Sequence, residues 1–289
     1  MGIVDVYKRY KATYRNYVSV IWNLYKKKDA IDAIFKDGTR GRLSAETISI
    51  LSKVVESGTD YSKAMEIVQT ERIPFKNNII IMHGLKNNGD IVGVFLREDY
   101  KFLNVKNKVV IDIGASIGDS AVYFSLNGAT KVIGLEPYPN SFNFAVRNVK
   151  DNNLDEKIEL LNASYGKDGE ALVDENLKNN TGMDLKLSEE GKKIRVYSLK
   201  SLIDKFKINM AVLKMDCEGC EFNLLHEENS TLAKFSQMQI ECHYECQPLI
   251  EKLRDAGLNV NCTKPKKVFN AYNTDPKMLV RWIYASRPE

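Results

Sequence analysis

Residues 109–124 read VVIDIGASIGDSAVYF. An uninterrupted apolar run, a glycine-bearing turn and the start of a helix follow one another, as where a buried strand turns tightly into a helix. Gly114 and Gly118 let backbone amides approach a ligand, and the N-terminus of the helix beyond them favours negative charge. A dinucleotide fingerprint wants G-x-G-x-x-G, its second glycine making room for a pyrophosphate. Here Ser116 holds the second place and Asp119 the third, while Gly118 falls one residue early. The turn argues against NAD. Taken alone it is also compatible with a tight strand-to-helix turn that binds nothing.

The same texture continues downstream. Short apolar runs at 109–113, 131–135, 158–161, 210–215 and 237–241 suit strands of a parallel sheet buried on both faces. Helical stretches at 118–127, 140–152 and 218–226 lie between them. A helix, QPLIEKLRDAG, and extended pieces at 258–263 and 278–285 complete a doubly wound sheet of seven strands ending in an antiparallel hairpin. Upstream the texture differs. Val4, Tyr7, Tyr10, Tyr14, Val18, Ile21, Trp22 and Tyr25 recur at helical spacing, with basic residues between them. This predicts one amphipathic helix over 4–28 docked on its own domain, its lysines solvated, in preference to a nucleic-acid surface. Asp37-Gly38 marks a hairpin, Ser44 caps a helix that stops at Gly58, and Asn88-Gly89 marks a second hairpin joining NIIIMHGL to IVGVFL. The expected division is an N-terminal helical and hairpin extension over 1–75 and a ligand-binding sheet domain over 76–289.

Composition narrows the class. The 289 residues are 44% hydrophobic and 28% charged, which is globular, and 42 basic against 38 acidic residues give +4, too little to imply a polyanion partner. The N-terminus lacks a basic stretch followed by an apolar core, so no secretory signal is expected. No run reaches the length of a membrane span, so no membrane partner is expected. Five cysteines in no dense framework fit a reducing compartment. Together these predict a soluble, cytoplasmic protein.

The loop pattern D-x-G-x-S-x-G, from Asp112 to Gly118, resembles the D/E-x-G-x-G-x-G motif of S-adenosylmethionine (SAM) methyltransferases. SAM carries an ammonium and a carboxylate instead of phosphates, so an acid at Asp112 suits it. Glu136 ends the next strand in GLEPYP, 18 residues past Gly118, where a nucleotide-binding sheet places an acid for the ribose hydroxyls. Pro137 ends that strand, and Asn162-Ala163 at the end of the third suits an adenine edge. The expected cofactor residues are Asp112, Gly114, Ala115, Ser116, Gly118, Glu136, Pro137, Asn162, Ala163 and Asp216.

LKMDCEGCE, residues 213–221, ends the fourth strand. Lys214, Asp216, Glu218, Gly219 and Glu221 match K-x-D-x-E-G-x-E, and with VIDIGASIGD, GLEPYP, NVKDNNL and IECHY the chain from about 100 to 285 resembles the FkbM-type SAM-dependent methyltransferases. The resemblance implies a Rossmann-like seven-stranded class I methyltransferase sheet with helices on both faces; residues 1–75 lie outside it. It implies S-adenosyl-L-methionine as cofactor and O-methylation of a small-molecule or glycan hydroxyl. Such a transfer needs a proton acceptor at the cleft. His243 is the preferred base and Asp216 the alternative base or a SAM contact; Glu218 and Glu221 orient substrate or cap the next helix, and for Glu221 the capping role weighs at least as much.

Cys217-x-x-Cys220 and Cys242-x-x-x-Cys246 have metal-like spacing, but small buried thiols are the preferred reading and no metal is expected. Two other functions stay open. An RNA base methyltransferase would use the basic aromatic N-terminus, but it often carries N/D-P-P-F/Y after the fourth strand, and Asp216-Cys217-Glu218 would repel a phosphodiester. A non-catalytic SAM-binding module would bind cofactor without turnover. Residues 1–75 and 166–195, with the NNTGMD turn, are expected to shape the acceptor pocket, and nothing in them names the acceptor or an oligomeric state.

Overall fold

The computed structural model describes residues 3–84, 90–174, 191–267 and 279–288. They form two compact units, Met1–Glu98 and Asp99–Glu289.

The first unit contains α1 (Ile3–Thr13), α2 (Tyr17–Tyr25), β1 (Ala30–Ile34), β2 (Arg40–Ser44), α3 (Ala45–Glu56), α4 (Tyr61–Thr70), β3 (Arg72–Phe75), β4 (Asn78–Ile81) and a π-helical turn, Val92–Leu96. The single helix expected over 4–28 is broken. Tyr14 leaves helical geometry to bridge Phe35, its hydroxyl donates to the Ile48 carbonyl at 2.9 Å, and Arg15 N–H donates to the Ile34 carbonyl. Tyr10 and Tyr14 are buried as expected of a docked face, but Val18, Trp22 and Tyr25 on α2 are exposed. The Asp37-Gly38 hairpin forms between β1 and β2, with Thr39 N–H donating to the Asp37 carboxylate. Ser44 caps α3 by accepting from Thr47 N–H. The second hairpin is corrected. Asn88-Gly89 lies outside the described residues, β4 pairs backwards with β3, and the IVGVFL arm is helical.

The second unit contains β5 (Val109–Ile113), α5 (Asp119–Leu126), β6 (Lys131–Leu135), α6 (Pro139–Asp151), β7 (Ile158–Leu161), β8 (Ala163–Tyr165), β9 (Gly169–Val173), β10 (Lys192–Tyr197), α7 (Leu199–Phe206) and β11 (Ala211–Met215). A 3₁₀ turn (Cys220–His226) follows where a helix was expected, then α8 (Asn229–Leu232), β12 (Phe235–His243), α9 (Gln247–Asp255), β13 (Asn259–Cys262), β14 (Lys266–Lys267) and β15 (Leu279–Ser286). The main sheet runs β13-β15-β12-β11-β5-β6-β7, with β14 also paired to β15. β7, β6, β5, β11 and β12 are parallel, and β15 is antiparallel to both of its neighbours, β12 and β13. This is the doubly wound, Rossmann-like class I methyltransferase order, and its direction reverses between β5 and β11. β8, β10 and β9 form a separate three-stranded sheet. The NNTGMD turn lies outside the described residues.

Strand alternation divides the core. Ile111, Ile113, Ile133, Leu135, Leu213 and Met215 join Leu199, Leu202, Leu249 and Leu253 from α7 and α9 in one buried cluster. The alternate positions carry a polar row in register across three strands, Gln239, Lys214 and Asp112, all buried. Such groups are tolerated inside a sheet when paired: Lys214 pairs with Asp112, and Gln239 Nε2 donates to the Asp99 carbonyl at 2.9 Å, while Gln239 Oε1 has no partner among the described residues.

Candidate active site

In open sheets of this kind, ligands bind beyond the carboxyl ends of the strands where the winding reverses. The loop after β5 sits there. Gly114 and Ala115 amides both donate to the Leu135 carbonyl, at 3.0 and 2.9 Å. Gly114 has φ +78°, and a Cβ on it would lie 1.8 Å from the Asp216 carbonyl oxygen, so only glycine lets the β5 and β11 loops meet. Gly118, φ +81°, starts α5 against Ala145 of α6, which a Cβ would approach at 3.1 Å. Ser116 also adopts left-handed backbone, φ +48°, and its amide donates to Glu136 Oε2 at 2.9 Å.

The predicted cofactor residues divide into two groups. Asp112 is fully buried: Lys214 Nζ stands 3.0 Å from Oδ1, and Ser120 Oγ donates to Oδ2 at 2.6 Å. Lys214 Nζ also donates to the Gly114 carbonyl at 2.6 Å. Burial disfavours the ammonium, but Asp112 and Asp216 outweigh it and hold its pKa above the ordinary value. Asp112 thus braces the loop from beneath. Glu136, Ser116 and Asn162 converge above it. Glu136 accepts Tyr138 N–H on Oε1 as well as Ser116 N–H on Oε2, and burial, opposed by those amides, raises its pKa to about 8. Asn162 Nδ2 donates to the Glu136 and Pro137 carbonyls at 2.9 Å. Its Oδ1 and Ser116 Oγ are buried with no hydrogen-bond partner among the described residues. Unsatisfied buried acceptors of this kind ask for a donor, and an adenosine supplies an exocyclic amine and hydroxyls. Ala115 and Ala163 are buried and line the same strand ends; Pro137 is half-buried.

A second cluster occupies the ends of β11 and β12. His243 is 2% exposed, with Nδ1 2.9 Å from Glu221 Oε1 and Nε2 2.9 Å from Glu218 Oε2. Glu221 Oε1 also accepts the His243 backbone N–H, and Oε2 accepts Gly219 N–H, so this wholly buried acid anchors both strand-end loops. Burial works against a charged imidazole, but hydrogen bonds to Glu218 and Glu221 push the His243 pKa up to about 11. Glu241 is raised well above the ordinary carboxylate value by burial and then by Asp216 beside it. Asp216 also receives a long contact, 3.4 Å, from the Tyr100 hydroxyl. Ligand atoms of Glu218, Glu241 and His243 lie within 4.8 Å of one another, close enough to share a cation.

Asp216, Glu218 and His243, expected from the sequence, are therefore brought together, and Glu241, Lys214 and Tyr100 join them. Glu241 could have been found from IECHY, where it stands one strand period before His243. The cysteine reading is corrected. Cys217–Cys220 and Cys242–Cys246 are disulfides, one in each strand-end loop, and Cys262 is free and exposed. They flank Glu218 and His243 in sequence, so each cross-link closes a loop that carries one of the facing side chains.

Sheet order, winding reversal and glycine loop define a class I methyltransferase domain. Residues 112–259 match the model of the methyltransferase FkbM domain, just over half of the chain, and the chain belongs to that family. Its methyl donor is S-adenosylmethionine. Uncharacterized protein 158B of Sulfolobus islandicus rod-shaped virus 1 is 29% identical over 144 residues, covering 50% of this chain and 66% of that protein. This chain therefore spans just under two thirds of that relative's length. Among solved structures, M. jannaschii TYW2 in complex with AdoMet is similar at TM-score 0.41 and 13% identity, covering 75% of this chain and 86% of that one. A candidate rRNA methylase from Clostridium thermocellum is similar at TM-score 0.41 and 10% identity, covering 67% and 95%. Among the described residues no helix is long and apolar enough to cross a membrane.

Proposed function

We propose that this domain methylates a hydroxyl oxygen of a small-molecule or glycan acceptor. The observation that carries the reading is the carboxylate–imidazole cluster of Asp216, Glu218, Glu221, Glu241 and His243 beside the cofactor loop. In this reading Glu136 would hold the ribose hydroxyls of SAM, Asn162 its adenine and the Gly114–Gly118 loop its amino-acid end. Asp112 supports that loop through Lys214 and contributes its charge from below. Bound there, SAM supplies an electrophilic methyl carbon, and the chain's task is to hold the acceptor oxygen in line with it.

Asp216 takes the acceptor's proton. Its backbone N–H donates to the Ile113 carbonyl and its own carbonyl abuts Gly114, so it stands against the loop that carries the donor. His243, preferred as base from the sequence, has both ring nitrogens engaged by carboxylates. It orients Glu218, which positions the acceptor. Asp216 and Glu218, the acids that face the acceptor in this reading, disfavour a phosphodiester substrate, which supports the reading over RNA base methylation.

Methyl-labelled SAM, incubated with the protein and a cell extract later split into RNA and low-mass or glycan fractions, tests this. Label is expected in the second fraction. Asp216→Asn should lower incorporation by about 10²–10⁴-fold while S-adenosylhomocysteine affinity stays nearly unchanged. Label confined to RNA would refute the acceptor class. Cofactor binding without label anywhere would favour a non-catalytic module.

A further inference from the structure

The helix α2, YVSVIWNLY, buries one side chain, Val20, although seven of its nine residues are apolar or aromatic. Val18, Trp22 and Tyr25 are 64, 58 and 78% exposed. Spaced by four and then three residues, they share one helical face, and half-buried Ile21 joins them. An apolar stripe left in water on an otherwise well-packed unit marks a binding surface.

Charge identifies the occupant. Between Val6 and Lys28 there are seven basic residues and no acid, in a chain whose whole net charge is +4. Arg9 is spent on Glu56 and Arg15 on the Lys36 carbonyl, but Lys26, Lys27 and Lys28, which follow α2 directly, are exposed, as are Lys8 and Lys11 on α1. A second copy of the chain, docked about a two-fold axis, would set these lysines against their own images. Single-stranded nucleic acid needs free aromatic faces. Here Trp22 and Tyr25 stack on each other at 5.9 Å, and Lys26 stands over the Trp22 ring at 5.0 Å. Val18 and Ile21 offer a base nothing.

We propose that α2 is a membrane-surface helix that lies in the headgroup region of an anionic bilayer. Val18, Ile21, Trp22 and Tyr25 enter the acyl boundary, where tryptophan and tyrosine are favoured. The flanking lysines extend toward lipid phosphates. The nine-residue helix is far too short to span, so contact is with one leaflet.

The test uses the full chain with Trp282→Phe, so that Trp22 alone reports. Vesicles of equimolar phosphatidylcholine and phosphatidylglycerol should sediment the protein and shift its fluorescence to the blue; pure phosphatidylcholine should do so about tenfold more weakly. Trp22→Ser with Tyr25→Ser, both on exposed positions, should weaken sedimentation with the anionic vesicles about tenfold or more. Lys26→Glu, Lys27→Glu and Lys28→Glu combined should do the same while leaving S-adenosylhomocysteine binding intact. Absence of sedimentation with anionic vesicles overturns the proposal. So does sedimentation unaffected by the Trp22 and Tyr25 changes, which would be adhesion by charge alone. Loss in those variants of a dimer, or of oligouridine binding, with vesicle binding unchanged also overturns it and assigns the face elsewhere.

Discussion

Lowering the pH from about 8.5 to about 6.5 should weaken S-adenosylhomocysteine binding about 25-fold, through Glu136 alone. In the free protein burial holds this carboxyl near pKa 8, so at neutrality it is mostly protonated. Ribose hydroxyls donate hydrogen bonds, which favour the ionised form and pull the bound-state pKa down. The ligated protein therefore holds fewer protons, and affinity must rise with pH between the two pKa values. With a free value of about 8 and a bound value below about 6, protonation at the lower pH costs about 2 kcal/mol of binding energy. Titration calorimetry over that range, in two buffers of different ionisation enthalpy, reads both the affinity and the proton released. Release near neutrality should approach one proton per ligand. In Glu136→Gln the slope should vanish and affinity should stay at or below the wild-type acid-side value. An affinity flat from about pH 6.5 to 8.5, or a slope that survives in Glu136→Gln, would show that the carboxylate does not meet the ribose.

Lys214→Met strands the buried Asp112 carboxylate and should cost about 3–5 kcal/mol in urea unfolding; adding Asp112→Asn should recover most of it. Gly114→Ala places a Cβ 1.8 Å from the Asp216 carbonyl and should abolish soluble expression. Gly58→Ala, also left-handed but with nothing within 4 Å, should cost only about 1–2 kcal/mol in the same unfolding assay. The His243 pKa is raised to about 11, so its stabilising contribution is complete below the ordinary histidine value and is lost as pH rises through about 11. Thermal melts of wild type and His243→Gln should differ most on the acid side and converge in alkali. Alkylation followed by mass spectrometry should label one cysteine, Cys262, without reductant and all five after reduction.

The parallel strands were legible because burial on both faces writes them as continuous apolar runs, and the cofactor loop because its glycines answer to backbone collisions. The break between α1 and α2 was not. Tyr14 keeps the helical spacing of its neighbours, and only its bridge to Phe35, far along the chain, ends the helix. β8 to β10 were missed because they are short and, in β9 and β10, largely exposed, leaving little periodicity to read. The motif shows Asp112 but not its partner. That partner, Lys214, lies a hundred residues away and meets it only through strand register. His243 is legible as a candidate base at a strand end. Its engagement by two acids depends on the β11 turn, where Glu218 has φ +56° and Gly219 φ +121°, which spacing alone does not reveal.

The position of β15 between β12 and β13 also orders the events of synthesis. While the ribosome is still adding residues 263–278, β13 has been made but has no neighbour. The nine-residue β12, which ends in Glu241-Cys242-His243, meanwhile presents one open edge. Sheet closure must wait for Leu279–Ser286 to thread between two strands already made. A chain cut short before Leu279 would therefore keep β12 with an unpaired edge, the kind of margin along which sheets of separate molecules join.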